Sequence, residues 1–194
     1  MRTLAIALTV AFVLAATACR TLNPDALRDE LLAMNKTDQE VRQRWIKDQK
    51  NPEINAEMQQ LDAKHVKRLR QIVKRYGWPG KSLVGAKATS GAWTLAQHGG
   101  TKFLHEILPV MEAAAKKGEL SYALVATSID RVRIADGKKQ LYGTQFDTSG
   151  SKCEPLPIDD PEPLDQRRDD AGLGSIATYT EQLCALYKQP QKPH

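Results

Sequence analysis

The apolar positions of this chain follow helical spacing for most of its length. Leu27, Leu31, Met34, Val41 and Trp45 recur three, four and seven residues apart, the stripe that one face of an amphipathic helix presents. Asn23-Pro24 opens that stripe with an N-cap residue and a proline suited to the first helical turn. Asp38 fills the one gap in the stripe and Arg42 follows a turn later. Thr37 to Glu40 has the spacing of a capping box, which would allow a break near residue 36. Asn51-Pro52 repeats the start signal. Ile54, Met58, Leu61, His65, Leu69, Ile72 and Tyr76 then form a second stripe, stopped by Gly77 before Trp78-Pro79. On that stripe His65 reads as a satisfied core or boundary histidine rather than a ligand.

Residues 82–98 predict a third helix rich in small side chains, with Gly91 and Ala92 permitting close packing beside Trp93 and Gly99-Gly100 ending it. A fourth helix over 101–117 contains Pro109, which predicts a kink or split, and Ser121 opens a short helix toward Asp130. The period then changes. Val132 and Ile134 alternate with polar residues, Asp136-Gly137 is a hairpin-turn signal, and residues 140–145 supply the return strand. A loop rich in proline and acid covers 152–163. A last helix over 175–188 carries Ile176, Tyr179, Leu183 and Leu186 on its inner face, and residues 188–194 form a flexible tail. The expected architecture is mainly α, a single helical domain with one small antiparallel β-hairpin packed on it, because a lone hairpin is marginal in water.

The first eighteen residues do not belong to that domain. Arg2, an apolar run from Leu4 to Leu14 and the small residues Ala15, Ala16, Thr17 and Ala18 form the pattern of a signal peptide. Their Ala-Thr-Ala-Cys ending is similar to a bacterial lipobox, which makes Cys19 the lipid-modified first residue of the mature chain, with residues 19–23 as tether. Several acyl chains on one cysteine anchor stably, each buried methylene contributing roughly 0.8 kcal/mol. Arg20 after the cysteine resembles the sorting pattern for the periplasmic face of the outer membrane. With Cys19 assigned to lipid, Cys153 and Cys184 remain as a pair for a disulfide in an oxidising compartment.

The formal net charge of +5 is unevenly spread. Residues 63–105 contain nine lysines and arginines and no acid, whereas residues 147–170 contain eight acids against Lys152, Arg167 and Arg168. The two regions are expected to pair across the fold; the alternative is a basic face toward an anionic envelope component or a protein partner. Nucleic acid is excluded as a partner by export and by the lack of interleaved aromatic residues in the basic stretch.

Familiar catalytic motifs are absent: no phosphate-binding glycine loop, no HExxH, no nucleophile elbow, no CxxC. No two histidines stand four apart, so neither metal nor cofactor is expected. What remains are polar residues at the ends of elements: Gln97-His98, Asp130-Arg131, Tyr142 to Gln145, and Arg167-Arg168. If they converge, His98 is a general base oriented by Asp130, with Gln97, Arg131, Tyr142, Gln145 and Arg167 binding an anionic group. In the structural alternative, Asp130 pairs with an arginine, His98 caps its helix and Gln145 satisfies backbone groups.

The series Asp38-Gln39-x-x-Arg42, Gly77-Trp78-Pro79, Val84-Gly85, Gln97-His98, Asp130-Arg131-Val132 and Gln140-Leu141-Tyr142-Gly143-Thr144-Gln145 resembles the domain-of-unknown-function 6624 family. Pro157-Ile158-Asp159-Asp160-Pro161 and Asp165-x-Arg167-Arg168 continue the match. Gly99-Gly100 stand where that family has a small residue and an acid, and His65 where it has asparagine. The resemblance implies a shared fold and a shared polar cluster, not an activity. The function expected is that of an exported, lipid-anchored envelope protein whose polar cluster binds a small ligand or partner. One alternative is a hydrolase using His98 and Asp130; another is a structural protein acting through its basic surface.

Overall fold

Two asparagine caps start the two longest helices. In the computed structural model, which describes residues 23–149 and 152–188, Asn23 Oδ1 accepts from the Ala26 N–H at 3.1 Å and opens α1 (Pro24–Lys47). Asn51 Oδ1 accepts from Glu53 and Ile54 and opens α2 (Pro52–Tyr76). The first helix does not break near residue 36. Thr37 Oγ1 donates back to the Met34 carbonyl at 2.9 Å instead of capping a new turn, so the capping-box spacing is spent within one helix. The expected third helix comes in two pieces, α3 (Lys81–Val84) and α4 (Ala86–His98), parted at Gly85. Glu119 caps the first piece through the Ser82 N–H and hydroxyl. Next, α5 (Thr101–Lys116) runs unbroken through Pro109, where a kink or split was expected.

The mainly helical class with a two-stranded antiparallel sheet holds, but the hairpin sits elsewhere. Val132 and Ile134 belong to α6 (Tyr122–Ala135), and Asp136-Gly137 caps that helix rather than turning a hairpin. Gly137 takes φ +72°, and the N–H groups of Gly137 and Lys138 reach back to Ile134 and Arg133. An Asp-Gly pair suits either job, because both require a left-handed residue. The strands are β1 (Phe146–Asp147) and β2 (Glu154–Pro155), in register Phe146 with Pro155 and Asp147 with Glu154. Helix α7 (Leu164–Asp170) forms directly after the expected loop, where no element was expected, and α8 (Ile176–Lys188) follows.

The main core lies among α1, α2, α4, α5 and α6, with Leu31, Leu69, Ile72, Ala92, Leu95, Leu104, Met111 and Val125 essentially sealed from water. A smaller cluster of Ala126, Tyr142 and Ala171 joins the C-terminal segments to α6. Gly91 decides how near α4 comes to α1: a Cβ there would meet Asn35 Cβ at 3.2 Å. That approach brings the His98 end of α4 to the middle of α1.

The basic and acidic regions do not pair as expected. Arg68 pairs with Glu30 of α1 and Arg70 with Glu106 of α5, while Asp147 pairs with Lys152 and Asp159 with Arg133. Residues 1–18, Cys19 and most of the tail lie outside the described residues.

Cys153 and Cys184 form a disulfide, with Cα atoms 5.7 Å apart, which ties the hairpin to α8. The start of that helix is also held, by Tyr179 against Phe146 and Arg168, whereas Leu186 and Tyr187 near its end are exposed. In the chain-entropy model, closing a loop of this length contributes about 3–4 kcal/mol. Reduction, or Cys184→Ser, is expected to lower the unfolding free energy by about that amount and to free α8 amides to exchange. Unchanged urea midpoints after reduction would show that the bond adds nothing.

Candidate functional site

The His98 ring meets a carboxylate, and that carboxylate belongs to Asp38. Asp38 lies on the buried stripe of α1, with no exposed side-chain surface. Its Oδ2 and Oδ1 lie 2.9 and 3.1 Å from His98 Nδ1. Arg42 Nε donates to Asp38 Oδ1 at 3.1 Å, and Gln39 Nε2 donates to Oδ2 at 2.8 Å. Arg42 also reaches Asp62 on α2 at 2.5 Å, so one guanidinium links α1, α2 and α4. Burial pushes the Asp38 carboxyl up, but the hydrogen bond and charge of His98, the charge of Arg42 and the Gln39 amide outweigh it. They hold the group below the usual carboxylate range.

Two proton arrangements compete at His98 Nδ1, because Arg42 Nε also lies 2.8 Å from it. If Nδ1 is bare, it accepts from Arg42 but sets its lone pair against both oxygens of a charged carboxylate. If Nδ1 carries the proton, it donates to that carboxylate, at the cost of one donor-to-donor approach. The second arrangement is favoured, since it turns lone-pair repulsion against both carboxylate oxygens into a charge-assisted bond, while Arg42 Nε keeps Asp38 Oδ1 as its acceptor. It leaves Nε2 bare. The ring is a quarter exposed, and Nε2 has no hydrogen-bond partner among the described residues.

Asp130 does different work. It is fully buried and accepts from the backbone N–H groups of Leu141, Tyr142 and Thr144 at 2.6–3.0 Å, and from Thr144 Oγ1 at 2.9 Å. A carboxylate at the base of a loop replaces the ladder that the expected return strand would have had. Gly143 sits in that loop at φ +67°, where a Cβ would meet Ile176 Cδ1 at 2.8 Å. Gln140 completes the knot, donating to the Gln145 and Leu156 carbonyls and accepting from the Gln145 N–H. The expected His98–Asp130 pair is therefore corrected to His98–Asp38, because the loop saturates Asp130.

The other expected binding residues divide in two. Arg167 donates to the carbonyls of Leu141, Asp159 and Asp160, and the fully buried Arg168 donates to Gly174 and Tyr142. Both act as clamps on this loop. Tyr142 is buried against Tyr122, and burial first, then that neighbour, pushes its hydroxyl far above the usual tyrosine range, so it stays protonated. Arg131, Gln97 and Gln145 do come together. Arg131 Nη1 lies 3.3 Å from the Gln97 carbonyl and its Nε 3.4 Å from Gln145 Oε1. It pairs with no carboxylate among the described residues, and burial lowers its pKa. Gln97 gives its amide to Ser128 at 2.8 Å, while its buried Oε1 has no partner. Gln97 and His98 are neighbours in α4 but turn to different partners, Ser128 of α6 and Asp38 of α1, so the polar surface at the end of that helix has two parts that no hydrogen bond joins among the described residues.

Sequence reasoning overlooked Asp38, Arg42 and Asp62 as site residues. The available signal was an acid in the middle of an apolar stripe with an arginine one turn on. Among the described residues no group of three or more His, Cys, Asp or Glu side chains converges as metal ligands would.

A family model described as "Family of unknown function (DUF6624)" matches residues 24–190. No curated protein and no solved structure matches the chain.

Removing one partner of a buried ion pair strands the other, so Asp38→Ala is expected to cost about 3–5 kcal/mol of stability at neutral pH. The folded pKa of Asp38 is depressed, so its contribution is present above the unfolded value of about 3.9 and is lost as pH falls through the folded value. Urea titrations of wild type and Asp38→Asn should therefore differ most near neutrality and converge in acid. A gap that widens in acid would contradict the charge assignment.

Proposed function

Since the chain belongs to the DUF6624 family, whose description fixes no activity, we propose a role from its own residues: an exported, lipid-anchored envelope protein that binds a small anionic ligand at the His98 end of α4. The observation that carries this reading is Arg131. A half-buried guanidinium without a carboxylate has lost hydration that two long hydrogen bonds do not replace. An anion would supply the missing charge, with Gln145 orienting the guanidinium. Export, lipid on Cys19 and residence at the periplasmic face of the outer membrane rest on the pattern of residues 1–20.

The hydrolase reading stays as a second one, with Asp38 in the orienting role. A bare Nε2 behind a buried carboxylate is the arrangement in which imidazole takes a proton from water or a hydroxyl, and Arg131 would face the charge that develops. Binding that survives His98→Gln while turnover of a bound ester disappears would favour it.

Two measurements test the proposal. Metabolic labelling with an alkyne palmitate is expected to mark wild type and not Cys19→Ser; equal labelling would remove the lipid from the account. In nanodiscs, phosphate or succinate near a hundred times Kd is expected to raise Tm by about 5–10 °C. Arg131→Met should abolish that rise while keeping or improving ligand-free stability, because an unpaired buried charge is removed. An equal rise in Arg131→Met would overturn the site. So would a ligand-free loss of more than about 2 kcal/mol in that variant, which would make Arg131 structural.

A further inference from the structure

A second cavity lies away from the Arg131 surface, between α1 and α2. Here the two helices part to leave a groove of about 530 Å³, within the volume range of small-molecule sites. Ala33, Met34 and Leu61 give it an apolar wall, Lys64 and Lys67 stand on its rim, and His65 lines it. The bidentate Arg68–Glu30 pair, at 2.6 and 2.8 Å, borders it on the α1 side.

His65 was expected to be a satisfied core histidine, and it is not. The residue is only 3% exposed, yet its Nδ1 has no hydrogen-bond partner. Burial lowers its pKa, with Lys64 and Arg42 adding to that and Asp38 and Asp62 opposing it, so the ring sits neutral in the groove. That nitrogen is sealed from the groove as well as from bulk water, so the ring gives the groove a neutral wall and no contact for a head group. Neither Lys64 nor Lys67 forms an ion pair among the described residues, so the rim carries uncompensated positive charge above an apolar wall.

We propose that this groove binds a single-chain fatty acid, its chain along Ala33, Met34 and Leu61 and its carboxylate between Lys64 and Lys67. The chain recovers apolar area that the groove leaves in water, and the head group meets the only unpaired charges beside it. A cationic amphiphile is excluded by the same lysines, and a short anion gains nothing from the wall. The inference stands on the groove alone and does not depend on the Arg131 site.

The test is photolabelling of the full chain in phosphatidylcholine nanodiscs with a diazirine laurate, mapped by mass spectrometry. Label is expected on the peptides that carry Ala33–Thr37 and Leu61–Gln71. Excess laurate should compete about tenfold better than dodecylamine or acetate. Lys64→Glu with Lys67→Glu should reduce labelling about tenfold with helix content unchanged, since both side chains are exposed. Label spread evenly over the chain, equal competition by dodecylamine, or wild-type labelling of the lysine pair would each overturn the proposal.

Discussion

A carboxylate without access to water holds the N-terminal half of this protein in register. Asp38 interrupts the apolar stripe of α1, where a leucine would have continued it and held the helices as well. Buried ion pairs seldom stabilise more than the apolar groups they displace. The charge at this position thus does something that packing could not: it fixes where His98 and Arg42 point. Through His98 it reaches α4, and through Arg42 and Asp62 it reaches α2, so three helices converge on one negative charge. Gly91 makes this possible further along α4, because a larger residue would hold that helix off α1 at Asn35.

Asp130 repeats the device on α6. There a buried carboxylate gathers the N–H groups of one loop, and Arg167 and Arg168 clamp the same loop through its carbonyls. The two carboxylates differ in what they leave free. Asp130 is saturated by the backbone that it organises, so it builds scaffold. Asp38 holds a side chain whose far nitrogen remains open, so it positions a candidate group for binding or proton transfer.

Much of the fold was legible because helices announce themselves locally. The Asn-Pro starts, the glycine stops and the apolar stripes of α1 and α2 survive in the structure nearly unchanged. The hairpin was misplaced because Asp136-Gly137 serves helix ends and turns alike, and because two alternating residues are too few to separate a strand from the last turn of a helix. Its true strands are two residues each, too short for any period to show. The site was half legible. Gln97, His98, Arg131 and Gln145 were found from their places at element ends, but the partner of His98 was not. That choice depended on which acid the loop at 141–144 had already consumed, a question of tertiary hydrogen bonding that sequence spacing does not carry. The disulfide was legible once Cys19 was set aside for lipid and the remaining pair was placed in an oxidising compartment.

The central claim is that Asp38 sets the proton on His98 Nδ1 and leaves Nε2 bare at the edge of the polar surface. Nitrogen-15 chemical shifts of the His98 ring, recorded at a pH where the ring is neutral, test it most directly. The account predicts a protonated Nδ1 with a strongly deshielded proton and an unprotonated Nε2. The opposite tautomer, with Nε2 protonated and Nδ1 accepting from Arg42, would contradict it and leave His98 as a structural link between helices.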